Sequence, residues 1–255
     1  MELLRVTPEN IETEHICCAI SNNKDAQVMS KKEWMKNRFA EGLVFLKCDV
    51  RGKCFIEYIP AESTWAPVYA PDYMYINCFW IAGQFKGHGY SNLLLEECIR
   101  DSREKGKKGL AILSSKKKQG FLSDPKYLRY KGFKLADCAP PYFELMYLPF
   151  EDSAERPRFY PCVNEPEHSD IPKGFVIYYT SQCPFNAKYI PLLKAKAQEL
   201  GAELTAIHIE TKEQAQSAKS PFTTFSLFYN GEFVTHEILS EAKFEKIIAE
   251  KQKNG

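Results

Sequence analysis

The chain has 255 residues, 44% of them apolar, and its 34 basic and 33 acidic side chains leave a formal charge of +1. That length suits one or two domains with real cores, and the balanced charge gives no reason to expect nucleic acid or an anionic membrane as partner. No run of about 18 apolar residues is present to span a bilayer. Met1-Glu2-Leu3-Leu4-Arg5 lacks the basic flank and apolar core of a secretory leader, so a cytoplasmic protein is expected.

In chain order, Leu3 to Val6 reads as a first strand, and Pro8 to Ile20 and Ser30 to Ala40 as helices. Gly42 to Lys47 and Lys53 to Ile59 read as a hairpin about Arg51-Gly52. Tyr73 to Trp80 is the next strand. The stretch from Tyr90 to Lys105 places Leu94, Leu95, Cys98 and Ile99 on one helical face, with Gly106 as its stop. Leu110 to Leu113 is short and wholly apolar, as expected of a strand buried on both faces. Phe143 to Leu148 closes this part as a strand. Pro157, Pro161, Pro166 and Pro172 punctuate a linker from 151 to 172.

Beyond the linker, Phe175 to Thr180 is a strand, and a helix follows Cys183-Pro184-Phe185-Asn186 as far as Leu200. Then come a strand at Leu204 to Ile209, a short helix at Thr211 to Ala218, and two strands flanking Asn230-Gly231, a hairpin dipeptide. Ser240 can cap a last helix carrying Phe244, Ile247 and Ile248.

Nine cysteines stand at 17, 18, 48, 54, 78, 98, 138, 162 and 183, with no C-x-x-C and no Cys/His spacing of zinc type, so no metal is expected. Cys48 and Cys54 flank the hairpin turn. A reducing cytosol favours two small buried thiols there over a disulfide.

The most specific stretch is Gln84-Phe85-Lys86-Gly87-His88-Gly89, a Q-x-x-G-x-G between an apolar run (Met74 to Ala82) and a helix. Its glycines let the backbone turn tightly, and loop and helix-start N–H groups converge on one spot suited to phosphate oxygens. A Walker A loop is excluded, since its four-residue glycine spacing and Lys-Ser/Thr pair are absent. The dinucleotide fingerprint needs a third glycine where Asn92 stands.

This stretch, with its flanking elements, resembles the acetyl-CoA pyrophosphate loop of the GCN5-related N-acetyltransferases. The resemblance covers residues 1–150. It implies an α/β (α+β) acetyltransferase fold with a mixed sheet, and acetyl-CoA as co-substrate. It further implies that Phe79, Ile81 and Gly83 flank the pantetheine arm, where two core strands splay apart, and that Gln84, Lys86, Gly87, His88, Gly89 and Tyr90 surround the pyrophosphate. Lys116, Lys117 and Lys118 form a further basic run nearby.

The family commonly supplies a Tyr as acid four residues before a Gly-Phe. Here Gly132-Phe133 is present but Leu128 takes the Tyr position, which leaves Tyr127 as first candidate and Tyr130 as second. Pro125 interrupts the preceding helix. Glu57, within the apolar strand Phe55 to Ile59, is the candidate base; a charge there needs a partner or a task, unless it faces water at a sheet edge. His15 is a further candidate at the acceptor mouth, and Ala61 to Asp72, with Trp65, a candidate wall.

Residues 173–252, with the order βαβαββα and Cys183 at the first strand–helix junction, resemble the thioredoxin fold. Cys183-Pro184-Phe185 matches the start of a glutaredoxin motif, with Asn186 replacing the resolving cysteine. A helix N-terminus favours thiolate, so Cys183 is a candidate reactive thiol. The cis-proline that faces such a cysteine has its counterpart in Pro221, about two positions early. The alternative is an interaction or lid module with an inert Cys183 and room for a protein partner.

The two parts together resemble the YoaP-type acetyltransferases. The reading is transfer of acetyl from acetyl-CoA to the primary amine of a small acceptor. Two other classes stay open: a thiol-binding or redox protein using Cys183 with a CoA-sensing N-terminal part, and a non-catalytic acyl-CoA-binding module.

Overall fold

The computed structural model describes residues 2–16, 22–50, 52–164 and 171–253. The first part runs β1 (Leu3–Val6), α1 (Ala26–Phe39), β2 (Val44–Cys48), β3 (Cys54–Pro60), β4 (Val68–Tyr69), β5 (Tyr73–Ile81), α2 (Tyr90–Glu104), β6 (Gly109–Ser115), α3 (Pro125–Tyr130), β7 (Lys134–Ala139), β8 (Phe143–Pro149) and β9 (Arg158–Phe159). It continues as β10 (Phe175–Tyr179), α4 (Phe185–Glu199), β11 (Leu204–His208), α5 (Lys212–Gln216), β12 (Phe225–Tyr229), β13 (Glu232–Thr235) and α6 (Glu241–Lys253). No helix among the described residues is long and apolar enough to cross a membrane.

Seven strands form a mixed sheet in the order β1-β2-β3-β5-β6-β8-β7. Only β5 and β6 pair in parallel, because the α2 crossover between them returns the chain to the same end of the sheet. Leu94, Leu95 and Cys98 of α2 pack with Ile56, Tyr58, Met74 and Ile112 on one face. Val28, Trp34 and Met35 of α1 pack with Phe45, Phe55 and Ile59 on the other. Helices on both faces make β3, β5 and β6 central, which accounts for their nearly unbroken apolar character.

A second sheet takes the order β11-β10-β12-β13, parallel between β10 and β11 and antiparallel elsewhere. The two sheets are tied by specific bonds. Gln216 donates to the Thr64 carbonyl (3.2 Å) and the Thr223 hydroxyl to the Trp65 carbonyl. His236 bridges the Tyr142 hydroxyl and the Gly120 carbonyl, each at 2.8 Å.

Several expectations need correction. Residues 8–14 are consecutive turns, not a helix, and 17–20 lie outside the described residues. Helix α1 begins at Ala26, earlier than expected, because the Asp25 carboxylate accepts from the Gln27 N–H at 2.8 Å. Pro125 opens α3 behind the Asp124 cap; its missing N–H costs nothing at the first helical position. Strand β7 was not anticipated: its Lys134-Leu135-Ala136-Asp137-Cys138-Ala139 lacks an alternating pattern, and it follows the ladder of β8 through a register shift.

The 151–172 segment carries β9, which pairs with β4 and buries Phe159; Arg51 and residues 165–170 lie outside the described residues. The cis peptide falls at Pro140–Pro141, not at Pro221. Cys48 and Cys54 are buried thiols whose sulfurs meet across the hairpin without a disulfide.

Candidate active site

The site begins where β5 and β6 part. They pair only from Tyr73 opposite Gly109 to Ile76 opposite Ile112. Beyond that, β5 continues to Ile81 beside β3 alone, and β6 to Ser115 beside β8 alone. A bulge opens at the same level: Glu57 faces Cys78 and Tyr58 faces Ile76, leaving Asn77 as the extra residue. Bulges re-aim side chains and free backbone groups, and both effects fall at the mouth of the splay.

Beyond β5, Gly83–Phe85 forms a single 3-10 turn, and Gly87 (φ +83°) and Gly89 (φ +78°) carry the chain into α2. Side chains other than glycine rarely tolerate such angles. A Cβ at either position would meet no atom within 4 Å, so the space before the loop is open. Gly89 is the helix N-cap and offers no side-chain hydrogen bond. The first N–H groups of α2 therefore remain for an outside acceptor.

The cradle opens on a cavity of about 300 Å³ lined by Phe79, Ile81, Lys86, Gly87, Gly89, Tyr90, Lys118 and Tyr127. Of the expected cradle residues, Gln84 and His88 are exposed beside it, His88 stacking on Tyr90 with ring centroids 5.6 Å apart. Lys118 reaches the cavity and lies 3.4 Å from the Asp124 carboxylate.

A smaller space shares Phe79 and Ser123 with this cavity, and Asn77, Trp80 and Phe121 with a second cavity of about 290 Å³. The second cavity lies between the two sheets. Lys31, Lys53, Phe55, Glu57, Asn77 and Trp80 contribute from one side, and Gln182, Cys183, Phe185, Phe222 and Thr224 from the other.

Glu57 is fully buried on the central strand β3, not at a water-facing edge. Its carboxylate forms an ion pair with the buried Lys31 ammonium and accepts from the Asn77 amide at 3.2 Å. The ammonium also lies 4.4 Å from the Trp34 ring centroid. A carboxylate so enclosed keeps its charge only with such partners.

Tyr127 lines the cradle cavity, its hydroxyl donating to the Ser91 carbonyl (3.3 Å) and its ring meeting Phe79 edge-on. Burial raises its pKa above the ordinary tyrosine value, so it keeps its proton at neutral pH. Tyr130 is not brought to the site: it is 82% exposed on the outer face of α3. His15 is half-buried and lines neither cavity. Trp65 lines only the smaller space between them, with Thr64 and Ala66.

Cys183 departs from the reactive-thiol expectation. Burial pushes its pKa up to about 11, and the Phe185 N–H at the start of α4 offsets this only in part. Asn186 has a structural task in place of a resolving cysteine, donating to the Thr180 carbonyl (2.9 Å) and the Thr224 carbonyl (2.6 Å). Among the described residues, no three His, Cys, Asp or Glu side chains cluster to hold a metal ion.

Sequence reasoning missed three contributors: Lys31, Lys53 and the wall from the second sheet. Lys31 had a signal, because a lysine at helical spacing from Val28 and Met35 sits on the apolar face of α1. The other two depend on long-range packing.

A mixed sheet splayed beside a glycine cradle that caps a helix is the fold of the GCN5-related N-acetyltransferases. Residues 203–246 match a family model described as YoaP-like. The chain is 43% identical over 246 residues to "Uncharacterized N-acetyltransferase YoaP" of Bacillus subtilis (strain 168), covering 96% of this chain and 97% of that protein. Solved structures similar to it include yncA of Salmonella typhimurium with its cofactor acetyl-CoA (13% identity, 61% of this chain and 96% of that chain, TM-score 0.43). Another is the PaiA N-acetyltransferase of Thermoplasma acidophilum in complex with coenzyme A (14% identity, 58% and 99%, TM-score 0.40). The chain belongs to the YoaP family of N-acetyltransferases.

Proposed function

We propose that the protein transfers the acetyl group of acetyl-CoA to the primary amine of a small acceptor. The observation that carries this reading is the proximity of the two cavities: the open glycine cradle and the chamber with a buried carboxylate both border one smaller space, the first through Phe79 and Ser123, the second through Asn77, Trp80 and Phe121. Acetyl-CoA supplies an activated thioester carbonyl. Lys86 and the N–H groups from Gly87 to Tyr90 receive the pyrophosphate, with Lys118 adding positive charge. Phe79, Ile81 and Gly83 flank the pantetheine arm where β5 has left its pairing with β6.

Glu57 takes a first proton from the acceptor ammonium, which frees the lone pair that attacks the carbonyl carbon, and the second nitrogen proton passes to solvent as the amide forms. Tyr127, held protonated by burial, donates to the sulfur as the carbon–sulfur bond breaks. In this reading residues 1–150 bind the acetyl donor, 151–172 connect, and 173–252 form a thioredoxin-like wall over the acceptor. Cysteines that form no disulfide among the described residues suit a reducing, cytoplasmic setting.

Calorimetric titration tests the donor site. Acetyl-CoA should bind the wild-type protein, and Gly87→Trp, which fills the open space, should abolish binding while the melting temperature falls by only the few degrees that backbone strain of about 1–2 kcal/mol at φ +83° brings. Absence of binding to the wild type, or equal binding by the variant, contradicts the reading.

A further inference from the structure

We propose that the acceptor is a single α-amino carboxylate with an apolar side chain, and that Lys53 is the specificity-determining residue that receives its carboxylate. This rests on the acetyltransferase reading above and adds the substrate class.

Charge in the chamber sets the first constraint on the acceptor. The second cavity holds one buried carboxylate, Glu57, already matched by Lys31. Lys53 brings a further ammonium with no carboxylate partner among the described residues. A simple amine enters at neutral pH as an ammonium. That would set three cations against one anion within largely apolar walls, an arrangement such surroundings penalise. An acceptor that carries its own carboxylate restores the balance.

Lys53 is placed to meet it. Its backbone carbonyl accepts from the Ala82 N–H at 2.6 Å, which anchors the residue beside the end of β5. Its nitrogen lies 5.6 Å from the Trp80 ring centroid and 5.2 Å from that of Phe185. Ring faces attract the charge but leave the three N–H donors of the ammonium free to bind oxygen. Trp80, itself 42% exposed, lies on β5 and Phe185 opens α4, so the residue is clamped where the two parts of the chain meet at the chamber.

The rest of the wall fits an apolar side chain. Phe55, Phe121 and Phe222 line the same space. At about 290 Å³ the chamber is at the small end of ligand cavities, which begin at about 300 Å³. That suits one amino acid better than a peptide. The wall from the second sheet is then part of acceptor recognition.

The test uses the full chain and follows CoA thiol release from acetyl-CoA with phenylalanine and leucine, and with the matching amines that lack the carboxylate, phenethylamine and isopentylamine. The wild type should use the amino acids at least tenfold better in kcat/KM. Lys53→Met should raise KM for the amino acids roughly 10- to 100-fold, the worth of a hydrogen bond to a charged group, with kcat little changed. It should lower KM for the two amines, because it removes one of the cations that their ammonium would meet.

Wild-type preference for the amines, or an equal loss toward both classes in Lys53→Met, overturns the proposal while the acetyltransferase reading stands. Release with no amine-bearing compound of either class overturns both.

Discussion

The Glu57 carboxylate and the Cys183 thiol line one cavity, although Glu57 lies on the central β3 strand of the seven-stranded sheet and Cys183 precedes the α4 helix beside the four-stranded one. The two groups are held in opposite ways. Glu57 sits beside Lys31 and Asn77, and Cys183 is kept neutral by its surroundings.

Replacing Glu57 should therefore have two separable effects. Glu57→Gln removes the proton acceptor and should lower kcat by roughly 10²- to 10⁴-fold. It also strands the buried Lys31 ammonium; removing one partner of such a pair costs about 3–5 kcal/mol. The double variant Lys31→Met/Glu57→Gln should recover much of that stability in urea unfolding without recovering turnover. Recovery of activity along with stability would show that Glu57 is structural only.

Cys183 should behave as an inert thiol. With a pKa of about 11, it carries little thiolate at neutral pH. Iodoacetamide labelling of the native protein, read by mass spectrometry, should leave Cys183 unmodified at pH 8, and Cys183→Ser should keep amine-dependent CoA release. Rapid labelling at pH 7 would revive the thiol-redox reading.

Acid should loosen the contact between the two sheets. Burial lowers the pKa of His236 below the ordinary imidazole value of 6.5, while its ring bridges Tyr142 and Gly120. The unfolded chain then takes up a proton before the folded one as pH falls. The stability due to this group is complete above about pH 6.5 and is lost below it. Melting temperatures measured from pH 7.5 to pH 5.5 should fall, and His236→Gln should flatten the fall. An unchanged slope in the variant would assign the loss to other groups.

Much of this was legible in the sequence because it is local. The cradle announced itself through Gly87 and Gly89, whose positive φ angles only glycine supplies freely, set between a strand and a helix. The Asn230-Gly231 hairpin was legible for the same reason, with both residues at positive φ. The strands β5 and β6 were legible from their apolar runs.

The acceptor chamber was not legible, because its walls meet only through packing. Phe185 and Phe222 are ordinary core residues on paper until the second sheet lies against Trp80. The environment of Glu57 hinged on strand order, which places β3 between β2 and β5. For Cys183 the helix start is a local signal, whereas the burial that raises its pKa depends on packing that the sequence does not show.

The cradle glycines allow a graded test. Gly89→Ala places a Cβ at φ +78°, where strain is about 1–2 kcal/mol, but the new methyl meets no protein atom. Unfolding should show that modest loss, and acetyl-CoA affinity by calorimetry should fall tenfold or more as the α2 N–H groups shift. An affinity equal to wild type would place the donor elsewhere.

The most direct measurement is CoA thiol release from acetyl-CoA in the presence and absence of an amine-bearing acceptor, with wild type and Glu57→Gln side by side. The account predicts release that depends on the acceptor, saturates with it, and drops at least 100-fold in the variant. Acetyl-CoA bound at the cradle with no acceptor-dependent release, across amines and amino acids alike, would contradict it.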